Sequence, residues 1–226
     1  MFTLSSVVPW GRSFDEYRRM FALTGADLAG RILGCGDGPA SFNAEATRRG
    51  TQVVSCDPLY QFSAEQIQQR IQETAPEVLE QARRNAHEFV WDEAIPDVDA
   101  LKRVRMTAMS AFLDDYAQGR DGGRYLDAGL PSLPFADGAF DLALCSHFLF
   151  LYSQQLDEAF HVQSMRELCR VAREVRVFPL LALGTVRSTH LEPAMHALEA
   201  DGFKIAAERV PYEFQRGGNE MVRVCR

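Results

Sequence analysis

Gly34-Cys-Gly-Asp-Gly38 lies directly after a short apolar run, Arg31-Ile-Leu33, and directly before Pro39. Glycines in such a turn let the backbone approach a ligand closely, and its N–H groups can meet anionic or polar atoms. Asp57 closes the next β-branched run, Thr51 to Cys56, 19 residues after Gly38. A carboxylate at that place can accept two hydrogen bonds from ribose hydroxyls. Together the turn and Asp57 point to a nucleoside-containing cofactor; the bland alternative is a tight structural turn beside a surface aspartate. A dinucleotide site calls for Gly-x-Gly-x-x-Gly. Here the spacing is Gly-x-Gly-x-Gly and Pro39 stands at the last glycine position, which disfavours a nicotinamide-dependent oxidoreductase.

The elements that must position these residues follow an α/β rhythm. Ser13-Phe-Asp-Glu16 is a capping box and predicts a helix to about Leu23, with Phe14, Tyr17, Phe21 and Ala22 inward. Arg31 to Leu33 reads as strand one, a helix runs from Pro39 to Gly50, and Thr51 to Cys56 is strand two. Residues 61–119 interrupt the rhythm with three predicted helices: one from Ser63, one with Pro76 in its first turn, and one from about Asp97 to Gln118 with Gly119 as its stop. Only one crossover helix is needed there, so the excess predicts a helical cap. Arg124 to Ala128 and the nearly all-apolar Phe140 to Cys145 are further strands, the second typical of a parallel sheet's centre. Residues 154–172 form a helix, Val175 to Phe178 a strand, and Thr189-His-Leu-Glu192 a second capping box. Phe203 to Val210 and Met221 to Cys225 close the chain as two strands.

The net charge of −7 argues against DNA or RNA as the main partner. The apolar stretch Leu142 to Tyr152 is too short to span a bilayer, and no basic region followed by an apolar run marks a secretion signal. Five cysteines, without a Cys-x-x-Cys pair, suit buried reduced thiols in a cytoplasmic protein. Cys35, Cys56 and Cys145 fall near adjacent strand ends, yet their spacing matches no zinc pattern, so no metal is expected. Arg83, Arg84, Lys102, Arg103 and Arg105 read as a solvated helix face.

Three motifs in order resemble class I S-adenosylmethionine-dependent methyltransferases: Ile32-Leu-Gly-Cys-Gly-Asp-Gly38, Val53-Val-Ser-Cys-Asp57, and Leu133-Pro-Phe-Ala-Asp-Gly-Ala-Phe-Asp-Leu-Ala-Leu-Cys-Ser-His147. The resemblance covers roughly residues 30–60 and 124–226. It implies a Rossmann-like doubly wound sheet of about seven strands, order 3-2-1-4-5-7-6 with an antiparallel final hairpin. Residues 1–226 would then be one methyltransferase-like domain, with 61–119 a helical cap after strand two. It also implies S-adenosyl-L-methionine as cofactor and methyl transfer to a small-molecule acceptor. Carried across, Gly34, Cys35 and Gly36 approach the methionine and ribose part, Asp57 binds the ribose hydroxyls, and Leu59 or Tyr60 covers the adenine. Leu130 offers a backbone contact, and Ser146 and His147 border cofactor and acceptor. Two positions depart from the family. Ile32 stands where many members carry an acidic residue, with Asp37 as a substitute inside the loop. Gly129 and Leu130 replace an Asp-Ala pair, with Asp127 displaced by two residues.

The implied chemistry needs few catalytic residues. The sulfonium already activates the methyl group, and a base is required only where the acceptor must lose a proton. His147 is the candidate base by position; a histidine hydrogen-bonded at the strand end is the equal alternative. Trp10, Gly11 and Arg12 either fold over the cofactor or form a packed arm. Phe148, Phe150 and Tyr152 line an acceptor pocket or simply pack, and the loop from Tyr212 to Asn219 either reaches the acceptor or turns the chain. A catalytically silent cofactor-binding or interaction module on the same fold is the second function class.

Overall fold

In the computed structural model, which describes residues 1–4 and 7–226, the strands are β1 (Arg31–Cys35), β2 (Gln52–Cys56), β3 (Tyr125–Leu126), β4 (Phe140–Ser146), β5 (Ala172–Phe178), β6 (Lys204–Arg209) and β7 (Glu220–Cys225). They form one sheet in the order β3-β2-β1-β4-β5-β7-β6, as expected from the sequence. β1 pairs in parallel with β2 and β4, while β7 is antiparallel to both β5 and β6. Alternate residues of each strand serve opposite faces. Leu33, Cys35, Ala143 and Cys145 pack with α6 (Glu158–Val171) and α7 (Leu191–Ala200). Ile32, Leu142 and Leu144 pack on the other side with α1 (Phe14–Met20) and α3 (Phe42–Arg48). A short α2 (Gly25–Ala29), capped by Thr24, leads from α1 into β1. This two-faced burial explains why the central strands are almost wholly apolar.

Between β2 and β3 lie two long helices, not three. α4 (Ala64–Arg84) starts in a complete Ser63–Gln66 capping box and runs straight through Pro76. A proline inside a helix removes one backbone donor and crowds the preceding turn. Here Ile71, Ala75, Val78, Leu79 and Ala82 keep one continuous buried stripe across it, and that burial outweighs the local cost. A single 3-10 turn, Ala86–Glu88, precedes α5 (Val98–Asp121). Gly119 does not end α5. It lies inside the helix, where a Cβ would overlap the Tyr125 ring, and the cap falls at Gly122. The Thr189–Glu192 capping box does not form. Ser188 Oγ accepts the His190 N–H at 3.2 Å, the turn begins one residue early, and α7 starts without a side-chain cap. Among the described residues no helix is long and apolar enough to cross a membrane.

Candidate functional site

A cavity of about 640 Å³ opens at the carboxyl ends of β1, β2 and β4. It faces the place where the strand order reverses between β1 and β4, which is where open α/β sheets bind ligands. Gly36, Asp57, Leu130, Ser146 and His147 all contribute to its wall. Gly34 and Cys35 are not part of it: Cys35 is buried in the sheet core, and Gly34 makes room for another side chain.

That side chain is Asp37. A Cβ on Gly34 would overlap its carboxylate, so only glycine lets Asp37 fold back beneath the loop. Tyr17 Oη donates to Asp37 Oδ1 at 2.8 Å and Ser55 Oγ donates to Oδ2 at 2.7 Å. Burial pushes the Asp37 carboxyl up to about 6 against these two hydrogen bonds, with nearby Asp57 adding to the rise. The loop aspartate therefore braces the turn from within and also touches the cavity.

Asp57 directly follows β2, its carboxylate held by two backbone donors. Gly38 N–H reaches Oδ2 and Leu59 N–H reaches Oδ1, each at 2.8 Å. The remaining lone pairs are free for the cavity. Burial raises its carboxyl, with the two N–H bonds opposing and Asp127 adding. Of the two adenine candidates, Leu59 lines the cavity, whereas Tyr60 turns away. Tyr60 Oη donates to the Gly38 carbonyl at 2.7 Å and its ring packs among Phe112, Tyr116 and Tyr125. Leu130 and Gly129 reach the cavity wall; Asp127 does not.

At the end of β4, Ser146 Oγ lies 3.0 Å from His147 Nδ1. His147 adopts a left-handed backbone, φ +50°, and its N–H donates to Phe178 O at 2.7 Å. Such a conformation is uncommon outside glycine and is concentrated at functional sites. Burial, then Arg12 and Arg105, hold its imidazole well below the ordinary histidine range, so it is neutral at pH 7.

Arg105 does not lie on a solvated face, unlike its neighbours Lys102 and Arg103. It is 0% exposed, and its Nη1 donates to both oxygens of Glu16 at 2.7 Å. Tyr212 Oη donates to Glu16 Oε1 at 2.9 Å. Helix periodicity places Arg105 among charged neighbours but cannot show that Glu16, some ninety residues earlier, meets it from α1. Glu16 was legible as a capping-box residue, and its Oε2 does accept from Ser13 N–H at 3.0 Å; its second use was not. The N-terminal arm also reaches the site, because Trp10 and Arg12 line the cavity. A Cβ on Gly11 would overlap the Pro39 carbonyl, so glycine lets the arm lie flat on the loop. Phe148, Tyr152 and Phe214 line the cavity, while Phe150 is core.

No protein-family model matches the chain. An uncharacterized protein of Methanocaldococcus jannaschii, MJ0045, is 32% identical over 225 residues, covering 99% of this chain and 98% of that protein. The chain belongs to the same family as MJ0045. Among solved structures, magnesium protoporphyrin IX methyltransferase from Synechocystis PCC 6803, crystallised with S-adenosylmethionine, superposes with a TM-score of 0.50 at 14% identity. The match covers 94% of this chain and 77% of that one. With the strand order above, the fold is that of the class I S-adenosylmethionine-dependent methyltransferases.

Proposed function

We propose that this protein binds S-adenosyl-L-methionine and transfers its methyl group to a small-molecule acceptor. The observation that carries the reading is the meeting of Asp57, the Gly36–Gly38 turn and Leu130 on one cavity at the sheet's reversal point. The residues fit a nucleoside cofactor. Asp57 is oriented by two N–H groups and keeps lone pairs toward the cavity, and a Cβ at Gly38 would meet nothing but Asp57, at 4.0 Å. When bound, the cofactor supplies a methyl group already activated on a sulfonium. Asp57 would accept the ribose hydroxyls, Leu59 would cover the adenine, and the Leu130 backbone would border it. Ser146 and His147 would border both the cofactor and the acceptor. Their task is chiefly alignment, an effect worth up to roughly 7–11 kcal/mol in well-oriented reactions. His147, neutral and tethered to Ser146, accepts the acceptor's proton where one must leave.

Residues 1–226 then form one domain, with residues 61–119 as the cap and α4 within it. Gln66, Ile67, Arg70, Glu73, Val78 and Ala82 of that helix line the cavity. Their side chains close the acceptor end, and with the aromatic wall they favour a partly apolar acceptor. Buried thiols suit a cytoplasmic setting.

Calorimetry with S-adenosylhomocysteine and with nicotinamide dinucleotides tests the reading, followed by a turnover assay for S-adenosylhomocysteine across a metabolite panel. Binding of S-adenosylhomocysteine alone is expected. Tight dinucleotide binding with no response to S-adenosylhomocysteine would overturn it.

A further inference from the structure

Part of the cavity is walled by aromatic rings: Phe2, Trp10, Phe89, Phe148, Tyr152 and Phe214. Phe89 stacks on Phe214 with centroids 5.0 Å apart and 23° between the planes, and Phe2 meets Phe89 edge-on at 5.8 Å and 87°. Phe2 and Trp10 pack in both apolar clusters that supply this wall, so the chamber is continuous. It also begins at the glycine turn, because a Cβ on Gly36 would overlap the Phe148 side chain. Ring faces and edges of this kind favour another flat ring between them.

The charges near the chamber are spent within the protein. Both Glu88 oxygens accept the Phe2 N–H, at 3.1 and 3.0 Å, and the Met1 amino group lies 3.3 Å away. Arg70 pairs with Glu73 at 3.7 Å. Arg12 gives Nη1 to the Trp10 carbonyl at 2.7 Å and buries Nε, so it offers no open fork. A charged ligand group would lose its water there without gaining a partner, which is costly.

The border of the same cavity is apolar on its outer side. Among the described residues the large apolar side chains exposed to solvent are Met1, Val7, Phe62 and Val186, and all four stand at this border. Val7 and Phe62 line the cavity, and Met1 lies against Gly184 of its wall. Val186 closes the turn that carries Leu183 and Gly184, its carbonyl accepting the Ala182 N–H at 2.7 Å. Exposed apolar residues scattered singly need no explanation, whereas a gathering of them marks a binding site.

We propose that the methyl acceptor is an uncharged molecule with a planar aromatic ring and a hydrocarbon side chain, the ring held in the aromatic chamber and the chain leaving over Val7 and Val186. This rests on the methyl-transfer reading. A lone pair of the acceptor takes the methyl carbon, and the C–S bonding pair stays on sulfur as S-adenosylhomocysteine forms. The proton lost by the acceptor passes to His147.

Calorimetry on wild type saturated with S-adenosylhomocysteine tests the chamber with 4-pentylphenol, phenol, 4-pentylcyclohexanol and 4-pentylbenzoate. Phenol lacks the chain, the cyclohexanol lacks the planar ring, and the benzoate adds a charge. 4-Pentylphenol should bind about tenfold or more tightly than each of the others; two methylenes sheltered at the rim suffice for that gain over phenol. Replacing the rim with Val7→Ser and Val186→Ser together should weaken 4-pentylphenol about fivefold and leave phenol unchanged. Equal affinity of 4-pentylphenol and any one of the other three overturns the proposal. So does a double variant that binds 4-pentylphenol as wild type does, or one that weakens both phenols alike. If S-adenosylhomocysteine does not bind wild type, the methyl-transfer reading fails, and the four probes on the unliganded protein decide the chamber alone.

Discussion

Glu16→Gln is the substitution that most directly tests how the buried charges beside the cavity are held. Glu16 lies inside α1 with Arg105 Nη1 2.7 Å from both its oxygens and Tyr212 Oη 2.9 Å from one. Burial by itself would raise its carboxyl. Arg105 and Arg12, the Arg105 hydrogen bond and the Ser13 N–H more than reverse this, lowering it from 4.5 to about 2. At roughly 1.4 kcal/mol per pH unit, that drop corresponds to about 3 kcal/mol of folded-state stability at neutral pH. Removing one partner of a buried ion pair costs roughly 3–5 kcal/mol by an independent route. The two agree, and for a chain of this length the loss corresponds to a Tm lower by about 6–20 °C. The sign follows from the direction of the shift. A depressed carboxyl stabilises the fold above its unfolded value of 4.5, and that stabilisation is lost as pH falls through about 2. Urea unfolding of wild type and Glu16→Gln, followed by circular dichroism from pH 7 downward, should show a constant gap above pH 4.5 that narrows below it. Adding Arg105→Met to Glu16→Gln should recover much of the loss, because it removes the cation left unpaired. A gap under about 1 kcal/mol at pH 7, or one that stays constant as the solution is acidified, would refute the reasoning.

Asp57→Ala should weaken S-adenosylhomocysteine binding by about 1.5–3 kcal/mol in calorimetry. It should also cost the fold about 1–2 kcal/mol in urea, because the Gly38 and Leu59 N–H groups lose their acceptor; an unchanged dissociation constant in a folded variant would remove Asp57 from the site. Gly34→Ala should destabilise by about 1–3 kcal/mol, since the new methyl must displace the Asp37 carboxylate; wild-type stability would show that Asp37 does not fold back under the loop. The Asp37 carboxyl, raised from 3.8 to about 6, destabilises the fold when ionised and ceases to do so as pH falls through that interval. Wild type should therefore gain stability relative to Asp37→Asn between those two pH values, and a flat difference in urea titrations would contradict the buried position.

The fold was legible because its signals are local and repeated. Each central strand carries apolar residues for both faces, and the Ser13–Glu16 and Ser63–Gln66 capping boxes mark two helix starts within a few residues. That the glycine turn and Asp57 meet on one cavity was legible for the same reason: their spacing along the chain is set by one strand-helix-strand unit. Local signals failed where a distant contact decided the outcome. Pro76 looks like a helix start, but the stripe from Ile71 to Ala82 carries α4 through it; Thr189 looks like a cap, but Ser188 takes the bond first. Tyr60 follows Asp57 as closely as Leu59 does, and only the aromatic cluster under α5 shows which of them turns from the cavity. Arg105 shares a helix surface with exposed Lys102 and Arg103, and nothing in that spacing separates it from them. Its burial depends on Glu16 of α1 and Tyr212 of the final loop, which meet it only when the sheet has brought three remote segments together. Sequence periodicity records which face a residue occupies, whereas a charge pairing depends on every segment that packs against that face; the Glu16–Arg105–Tyr212 contact is accordingly a property of the tertiary structure.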